Sequence, residues 1–287
     1  INAVAADGAS VYALGVHKGA TYTYQNSSGS LNSDLATIGG NLSADIVALN
    51  IDGSLKWKQA VSNPGNDAIN ALGLARTPTA VYIAGSTNNG STFPGGSVVN
   101  GGAYANDFAY LARLAPTTGQ TIWTRTFQSP NGSGNNQVGR SIATDIHGDV
   151  LLVGTYKQNL ALPDGSVISG ANDLQVFVSK FSGSGTLKWA LTPSGQGDDM
   201  PYGVAVDGSG GIYVAGSYKS DITLATAYSD DSSQNIFVAK LHDLDFDVAA
   251  FRDPSEFNAP HSLCESDSPI DITSWWEIGR ASCRARV

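Results

Sequence analysis

The sequence predicts an all-β protein in which about four repeated units, each of four short antiparallel strands, form part of a β-propeller. Three observations support this fold class. The 287 residues include 33 Gly, 11 Tyr and 9 Phe but only one Met, a composition that favours strands over helices. A strand-like run that ends in glycine occurs four times, and a turn glycine precedes a tryptophan by four positions three times.

The first landmark of each unit is a β-branched or aromatic run that ends in a small residue and glycine. It reads VYALG, VYIAG, VLLVG and IYVAG, and its glycines are Gly15, Gly85, Gly154 and Gly216, which are 70, 69 and 62 residues apart. The second landmark is the tryptophan after the turn glycine, at Trp57, Trp123 and Trp189, with spacings of 66 and 66 residues. Self-similarity at a nearly fixed period indicates a repeat architecture.

Two further runs complete each unit. An inner run precedes the first landmark and reads INAVAAD, INALGLA, VGRSIATD and YGVAVD, and a third strand follows it and reads DIVALN, DFAYLARL, VFVSKF and IFVAKL. Glycine-containing turns such as DGAS and DGSGG separate these runs. The predicted units are 1–68, 69–137, 138–200 and 201–250, followed by an irregular segment over 251–276. The last unit is truncated or diverged because it lacks a tryptophan-bearing strand, for which VAAF at 248–251 is a candidate.

Stacking of the units follows from the geometry of a sheet. One four-stranded sheet has two faces and cannot cover both alone, so we expect neighbouring units to pack face to face. The repeated tryptophan is then interpreted as an apolar plate between units whose indole N–H bonds a backbone carbonyl, in preference to a ligand-stacking residue.

Several segments resemble a known repeat family. YGVAVDGSGGIYVAGSY and NIFVAKL resemble the bacterial-type seven-bladed β-propeller repeat, called the SBBP repeat, and LKWALTPSGQGDD is similar to its next strand. The resemblance covers residues 1 to about 241 and implies an architecture rather than an activity. A single strand, TTGQTIWTRTF, resembles the repeat of pyrroloquinoline-quinone-dependent propeller enzymes.

The number of units and the two termini indicate part of a larger ring. Propellers have roughly 4 to 8 blades, and a closed four-bladed ring is the alternative. The chain starts at Ile1 inside a strand-like run, so we expect it to come from a longer protein. The segment EIGRASCRARV at 277–287 resembles the translation of a sequencing adapter, EIGRASCRERV, and is interpreted as read-through; a natural basic tail is the alternative.

Composition argues against two classes of partner. The formal net charge of −9 disfavours a nucleic-acid partner, because a phosphate backbone needs a cationic surface. No continuous apolar run approaches the roughly 20 residues of a membrane-spanning helix. The two cysteines, Cys264 and Cys283, follow the repeats, so the repeat region has no disulfide framework or cysteine-ligated zinc site.

Acidic turns are the strongest candidates for a metal site. Asp7, Asp145 and Asp207 occupy similar turns, and carboxylates in tight turns can hold calcium. We favour a turn-forming role for them because the further spaced acids of a calcium loop are missing. The remaining acidic groups are interpreted as solvated loop charge: Asp198 with Asp199, Asp230 with Asp231, and Asp243 with Asp245 and Asp247.

No catalytic or cofactor motif stands out. His17, His147, His242 and His261 are scattered, and the HExxH, GxSxG, GxGxxG and P-loop patterns are missing. We therefore predict no catalytic, cofactor-binding or metal-binding residue. Four glycosylation sequons occur in Ser/Gly-rich segments, at Asn26, Asn41, Asn89 and Asn131, a number close to chance.

The sequence favours a non-enzymatic binding or scaffold module that recognises a protein or glycan through its long polar loops, outside the cytoplasm. The alternative is a fragment of a propeller enzyme, such as a quinone-dependent dehydrogenase, hydrolase or lyase, with its site in the central channel. The inner runs are mainly small and apolar, which favours the binding module. Arg140 is the exception, and it is interpreted as a surface or strand-end charge.

Overall fold

The structure is a computed structural model that describes residues 1–18, 22–26, 29–33, 42–63, 69–88, 90–99, 108–130, 137–224, 227–242 and 245–251. Within these ranges every regular element is a β-strand, so the all-β prediction is confirmed. Residues 252–276 of the predicted irregular segment and all of 277–287 lie outside the described ranges. Across the described part of the chain, no helix has the length and apolar character needed to cross a membrane.

The strands fall into four consecutive sheets, numbered here in chain order. The strands of the first half are β1 Ala3–Ala6, β2 Ser10–Lys18, β3 Tyr22–Asn26, β4 Gly29–Ser33, β5 Leu42–Asn50, β6 Leu55–Ser62, β7 Asn70–Thr77, β8 Ala80–Thr87, β9 Ser91–Phe93, β10 Ser97–Val99, β11 Phe108–Leu114 and β12 Thr121–Phe127. The strands of the second half are β13 Val138–Thr144, β14 Val150–Ala161, β15 Val167–Phe181, β16 Leu187–Leu191, β17 Ser194–Gln196, β18 Met200–Val206, β19 Ile212–Thr223, β20 Ala227–His242 and β21 Asp245–Phe251.

Each of these four sheets contains four antiparallel strands in sequential order, as predicted for each unit. The orders are β1-β2-β5-β6 in sheet 1, β7-β8-β11-β12 in sheet 2, β13-β14-β15-β16 in sheet 3 and β18-β19-β20-β21 in sheet 4. In addition, β9 and β10 extend sheet 1, β17 pairs with β19 of sheet 4, and β3 and β4 form a separate two-stranded sheet. The predicted segment VAAF lies in β21, which pairs with β20 from Ile236↔Phe251 to His242↔Asp245 and completes sheet 4. Within the described ranges, no strand pairing joins sheet 1 to sheet 4.

Three apolar clusters fill the spaces between consecutive sheets. The first includes Tyr12 of sheet 1 and Ile83 of sheet 2, and the second includes Tyr82 of sheet 2 and Leu152 of sheet 3. The third joins sheets 3 and 4 through residues such as Val153. Alternate residues of one strand thus face opposite neighbours, as expected for sheets stacked face to face.

In sheets 2, 3 and 4 the repeated glycine lies where the second strand passes a bulge in the inner strand. A Cβ atom on Gly85 would overlap the carbonyl oxygen of Asn70, and one on Gly154 would overlap that of Val138. The inner strand carries an extra residue at this level, because the register shifts between Ala71 and Gly73 in sheet 2. Glycine is required here because only its hydrogen fits the close approach of the two backbones.

The repeated tryptophans connect each sheet to the next. Trp57 Nε1 donates to the Pro116 carbonyl at 2.8 Å, and Trp123 Nε1 donates to the Gly183 carbonyl at 3.1 Å. The turn glycine of the following unit receives the indole ring: a Cβ on Gly119 would lie 2.6 Å from Trp57 Cε3. The regular spacing of these glycines and tryptophans therefore reflects one contact that recurs between consecutive units.

A second type of connection between consecutive units, made by strand pairing, was not predicted from the sequence. Beyond their bulges, β14 and β15 extend as a hairpin arm over residues 159–169, and β19 and β20 extend likewise over 221–223 and 227–229. Each arm, or the β9–β10 hairpin of unit 2, pairs with the end of the outer strand of the preceding unit or with the chain that follows it. These pairs are Ser62↔Thr92, Gln128↔Ala161 and Ser194↔Thr223, and their first members are spaced 66 residues apart like the tryptophans.

Candidate functional site at the loop end of the strands

The strands have two chemically different ends. The turn end carries the tight turns within each sheet, such as 145–149 and 207–211. The loop end carries the hairpin arms and the connections between sheets, such as 192–199. The polar groups at the two ends differ in their hydrogen bonding.

At the turn end, the carboxylates considered as calcium ligands serve as hydrogen-bond acceptors within their own turns. Asp207 Oδ1 accepts the backbone N–H groups of Ser209 and Gly211, each at 2.8 Å, and the hydroxyl of Ser209 at 2.7 Å. The Ser209 hydroxyl and the Gly211 N–H lower the pKa of Asp207 to about 2, because these bonds stabilise the charged form.

Asp7 and Asp145 follow the same pattern and add ion pairs. Asp7 Oδ1 accepts the N–H of Ala9 at 2.7 Å, while its Oδ2 pairs with Arg76 at 2.5 Å. Asp145 accepts the N–H of His147 at 2.9 Å and pairs with Lys180 at 2.8 Å. No set of three or more metal-ligating side chains comes together within the described ranges.

The loop end brings the bulges of the inner strands together. The extra residues are Leu72 in β7, Arg140 in β13 and Tyr202 in β18, at equivalent places in consecutive units. Adjacent inner strands are also hydrogen-bonded to one another: Asn2 Nδ2 donates to the Ala71 carbonyl at 2.8 Å, and the Val204 N–H donates to Ser141 Oγ at 3.3 Å. The three bulge residues therefore form a row across sheets 2 to 4.

Arg140, interpreted from the sequence as a surface or strand-end charge, is the third residue of β13 at the loop end. The side chain is partly buried, and its Nε has neither solvent contact nor a hydrogen-bond partner in the described part of the chain. Burial lowers the pKa of the guanidinium, and the nearby phenol of Tyr202 acts in the opposite direction. The bulge explains why Arg140 is partly buried, because an extra residue in a strand changes the direction in which the side chain points.

Tyr202 lies beside Arg140 and is 60% exposed. Its hydroxyl oxygen accepts a hydrogen bond from Ser217 Oγ at 3.3 Å, and Ser217 Oγ in turn accepts one from Gln234 Nε2 at 3.1 Å. This chain of bonds restricts the phenol while leaving the ring in solvent. An exposed aromatic ring with a fixed hydroxyl is a common contact surface for ligands.

Buried polar atoms without partners concentrate at the loop end. Within the described residues, those at this end are Asn88 Oδ1, Ser129 Oγ, both side-chain polar atoms of Gln137, Arg140 Nε, Thr155 Oγ1 and Asp199 Oδ2. The turn end has two such atoms, Arg113 Nε and Thr121 Oγ1, and the other two nitrogens of Arg113 donate to the carbonyls of Gly183 and Thr79. A buried polar atom without a partner is costly, so the concentration at one end needs an explanation.

Asp199 is the most perturbed of these groups. It is 1% exposed, and its Oδ1 accepts the Lys219 N–H at 3.2 Å. Burial raises the pKa of Asp199 to about 8, and the negative charges of Asp173, Asp221 and Asp198 act in the same direction. The carboxyl group is therefore mostly protonated at neutral pH, which contradicts its interpretation as solvated loop charge.

Aligning the units shows what the sequence reading missed. Ile69, Gln137 and Asp199 each stand directly before an inner strand and three residues before the bulge residue. All three are buried, with exposures of 1%, 0% and 1%. The apolar isoleucine of unit 2 is thus replaced by an amide and a carboxyl group. A comparison of units position by position, rather than a search for motifs, would have singled out both.

The remaining candidates lie in other strands or outside the described residues. Asn26 is in β3 and His17 is in β2, while Asn41, Asn89, Asn131 and His261 lie outside the described residues. His242 ends β20, and Asp230 and Asp231 also lie in β20. Asp245 and Asp247 lie in β21, and Asp243, Cys264 and Cys283 lie outside the described residues.

Comparisons with known proteins add no assignment to this geometry. No protein-family model matches the chain, and no curated protein matches it significantly.

Proposed function

We propose that the chain is a non-enzymatic binding module of the β-propeller type that recognises a protein or glycan with its loop end. The observation that carries this proposal is the concentration of buried, partnerless polar atoms at that end, among them those of Gln137, Arg140 and Asp199. Such atoms lower the stability of the protein, and proteins accept this kind of loss at sites that serve a function, which supports binding at this end rather than at the turn end.

The propeller architecture is supported by the contacts between inner strands. Neighbouring inner strands are linked by hydrogen bonds, which now include Thr144 Oγ1 donating to the Arg76 carbonyl at 3.1 Å between sheets 3 and 2. Sequential four-stranded sheets with their inner strands side by side are arranged like propeller blades. The SBBP-like segments agree with this architecture, and the cysteine-free repeats and acidic composition agree with a place outside the cytoplasm.

A binding screen with two matched variants tests the proposal. The wild-type chain is applied to glycan and protein arrays, together with Tyr202→Ala at the loop end and Ile146→Ala at the turn end. Both side chains are exposed, 60% and 66%, so neither change is expected to disturb the fold. We expect a bound ligand that Tyr202→Ala weakens and Ile146→Ala does not. A screen without any ligand, equal weakening by both variants, or chemical conversion of the ligand would contradict the proposal.

A further inference from the structure

Arg140 is a cation at the loop end that has no counter-ion in the described part of the chain. Among the described residues, no carboxylate pairs with Arg140 and no hydrogen bond to its guanidinium is present. Other arginines are bonded: Arg76 pairs with Asp7, and Arg125 donates to the Gly185 carbonyl at 2.6 Å. The Arg140 guanidinium is partly buried, its Nε is bonded to neither protein nor solvent within the described ranges, and its two terminal nitrogens are not buried and can bind an anion.

Neighbouring groups define the chemistry of that anion. Tyr202 presents an exposed ring next to Arg140, and Ser217 and Gln234 hold its hydroxyl in place. An aromatic face packs well against the C–H face of a sugar ring, and a guanidinium binds a carboxylate with two parallel hydrogen bonds. The pair therefore suits a sugar that carries a carboxylate.

The charge of the whole chain narrows the ligand further. With a formal net charge of −9, the protein repels polyanions at long range, which disfavours nucleic acids and strongly acidic peptides. A single carboxylate on an otherwise neutral, hydroxyl-rich molecule experiences much less repulsion. Asp199 stands three positions before Tyr202, and its pKa is raised by burial and by the negative charges of Asp173, Asp221 and Asp198, so these carboxylates favour a ligand with one negative charge over a ligand with several.

We propose that Arg140 and Tyr202 form a subsite for a uronic acid residue of a glycan, in which Arg140 binds the carboxylate and Tyr202 packs against the sugar ring. This proposal rests on the proposed binding function and specifies its ligand class. The expected ligand is one acidic sugar in a mostly neutral oligosaccharide.

Two oligosaccharides that differ only in one carboxylate test the subsite. A glucuronosyl trisaccharide and its carboxyl-reduced glucosyl counterpart are titrated calorimetrically into the full chain. The variants are Arg140→Gln, Arg140→Lys and Tyr202→Ala, with Lys219→Gln as a matched control that removes an exposed charge at the loop end. The melting temperature of each variant establishes that it is folded.

We expect Arg140→Gln to weaken glucuronosyl binding by about tenfold or more, because a charge-assisted bidentate bond is lost. It should change glucosyl binding by no more than about twofold, since that ligand carries no charge. Arg140→Lys should retain part of the affinity, because lysine keeps the charge without the fork. Tyr202→Ala should weaken both ligands, and Lys219→Gln should change neither by more than about twofold.

Three results would overturn the subsite. They are equal binding of the acidic ligand by wild type and Arg140→Gln, equal weakening by Lys219→Gln and Arg140→Gln, and tighter binding of a glutamate-containing tripeptide than of the glucuronosyl ligand. If Tyr202→Ala still removes binding of another glycan or protein in these cases, the loop-end function stands and the uronate assignment alone fails. Binding of no ligand at all contradicts both proposals.

Discussion

The two ends of the strands treat their polar groups in opposite ways. At the turn end, Asp7, Asp145 and Asp207 accept hydrogen bonds from backbone N–H groups of their own turns. At the loop end, Gln137 and Thr155 are completely buried and have side-chain polar atoms without partners in the described part of the chain. The difference indicates that the turn end stabilises the fold and the loop end gives up stability for recognition.

The largest effect is expected where one sheet contacts the next near the turn end. Trp57→Ala removes a ring that is 8% exposed and opens a space against Gly119. We expect a loss of about 3 to 5 kcal/mol in the free energy of unfolding, measured with urea. Ile146→Ala, at a position that is 66% exposed, is the control and should change little. A loss below about 1 kcal/mol for Trp57→Ala would contradict the role of the indole as a connection between sheets.

A smaller loss is expected where the inner strand bulges. Gly85→Ala places a methyl group against the backbone of Asn70, so the strands must separate. The expected cost is about 1 to 3 kcal/mol, typical of overpacking. Gly208→Ala serves as the control because a Cβ there meets no atom within 4 Å. If thermal melting shows equal changes for both variants, the close approach at Gly85 is not what fixes glycine there.

Asp199 makes the loop end sensitive to pH. Its folded pKa of about 8 lies above the ordinary value of 3.8 for an aspartate, so the folded state binds a proton that the unfolded state has released. The contribution of Asp199 to the free energy of unfolding is therefore highest at low pH, and it falls as pH rises from about 4 to about 8. Asp199→Asn should remove this dependence and be more stable than wild type at pH 8.5 by at least about 1.4 kcal/mol, the equivalent of one pKa unit. Parallel pH profiles of unfolding for the two proteins would exclude a raised pKa at this position.

The sequence predicted the repeated units but not the bulges in their inner strands. Glycine and tryptophan periods predict four units of four strands, because each landmark marks a contact that recurs between backbones or between sheets. The hairpin arm over 159–169 was not predicted, because its PDGS turn and polar residues do not alternate regularly. The partial burial of Arg140 was not predicted either, because no local pattern indicates the one extra residue that changes the environment of its side chain.

Two isosteric substitutions test most directly whether polar groups are satisfied at the turn end and unsatisfied at the loop end. One replaces Thr144 in the inner strand β13, and the other replaces Thr155 in the neighbouring strand β14. Thr155 Oγ1 is buried without a partner at the loop end, whereas Thr144 Oγ1 donates to the Arg76 carbonyl near the turn end. Chemical denaturation of Thr155→Val and Thr144→Val compares the loss of an unpaired hydroxyl with the loss of a paired one. We expect Thr155→Val to stabilise the protein and Thr144→Val to destabilise it, each by about 1 kcal/mol. Destabilisation of equal size by both substitutions would contradict the claim that the loop end holds unsatisfied polar groups.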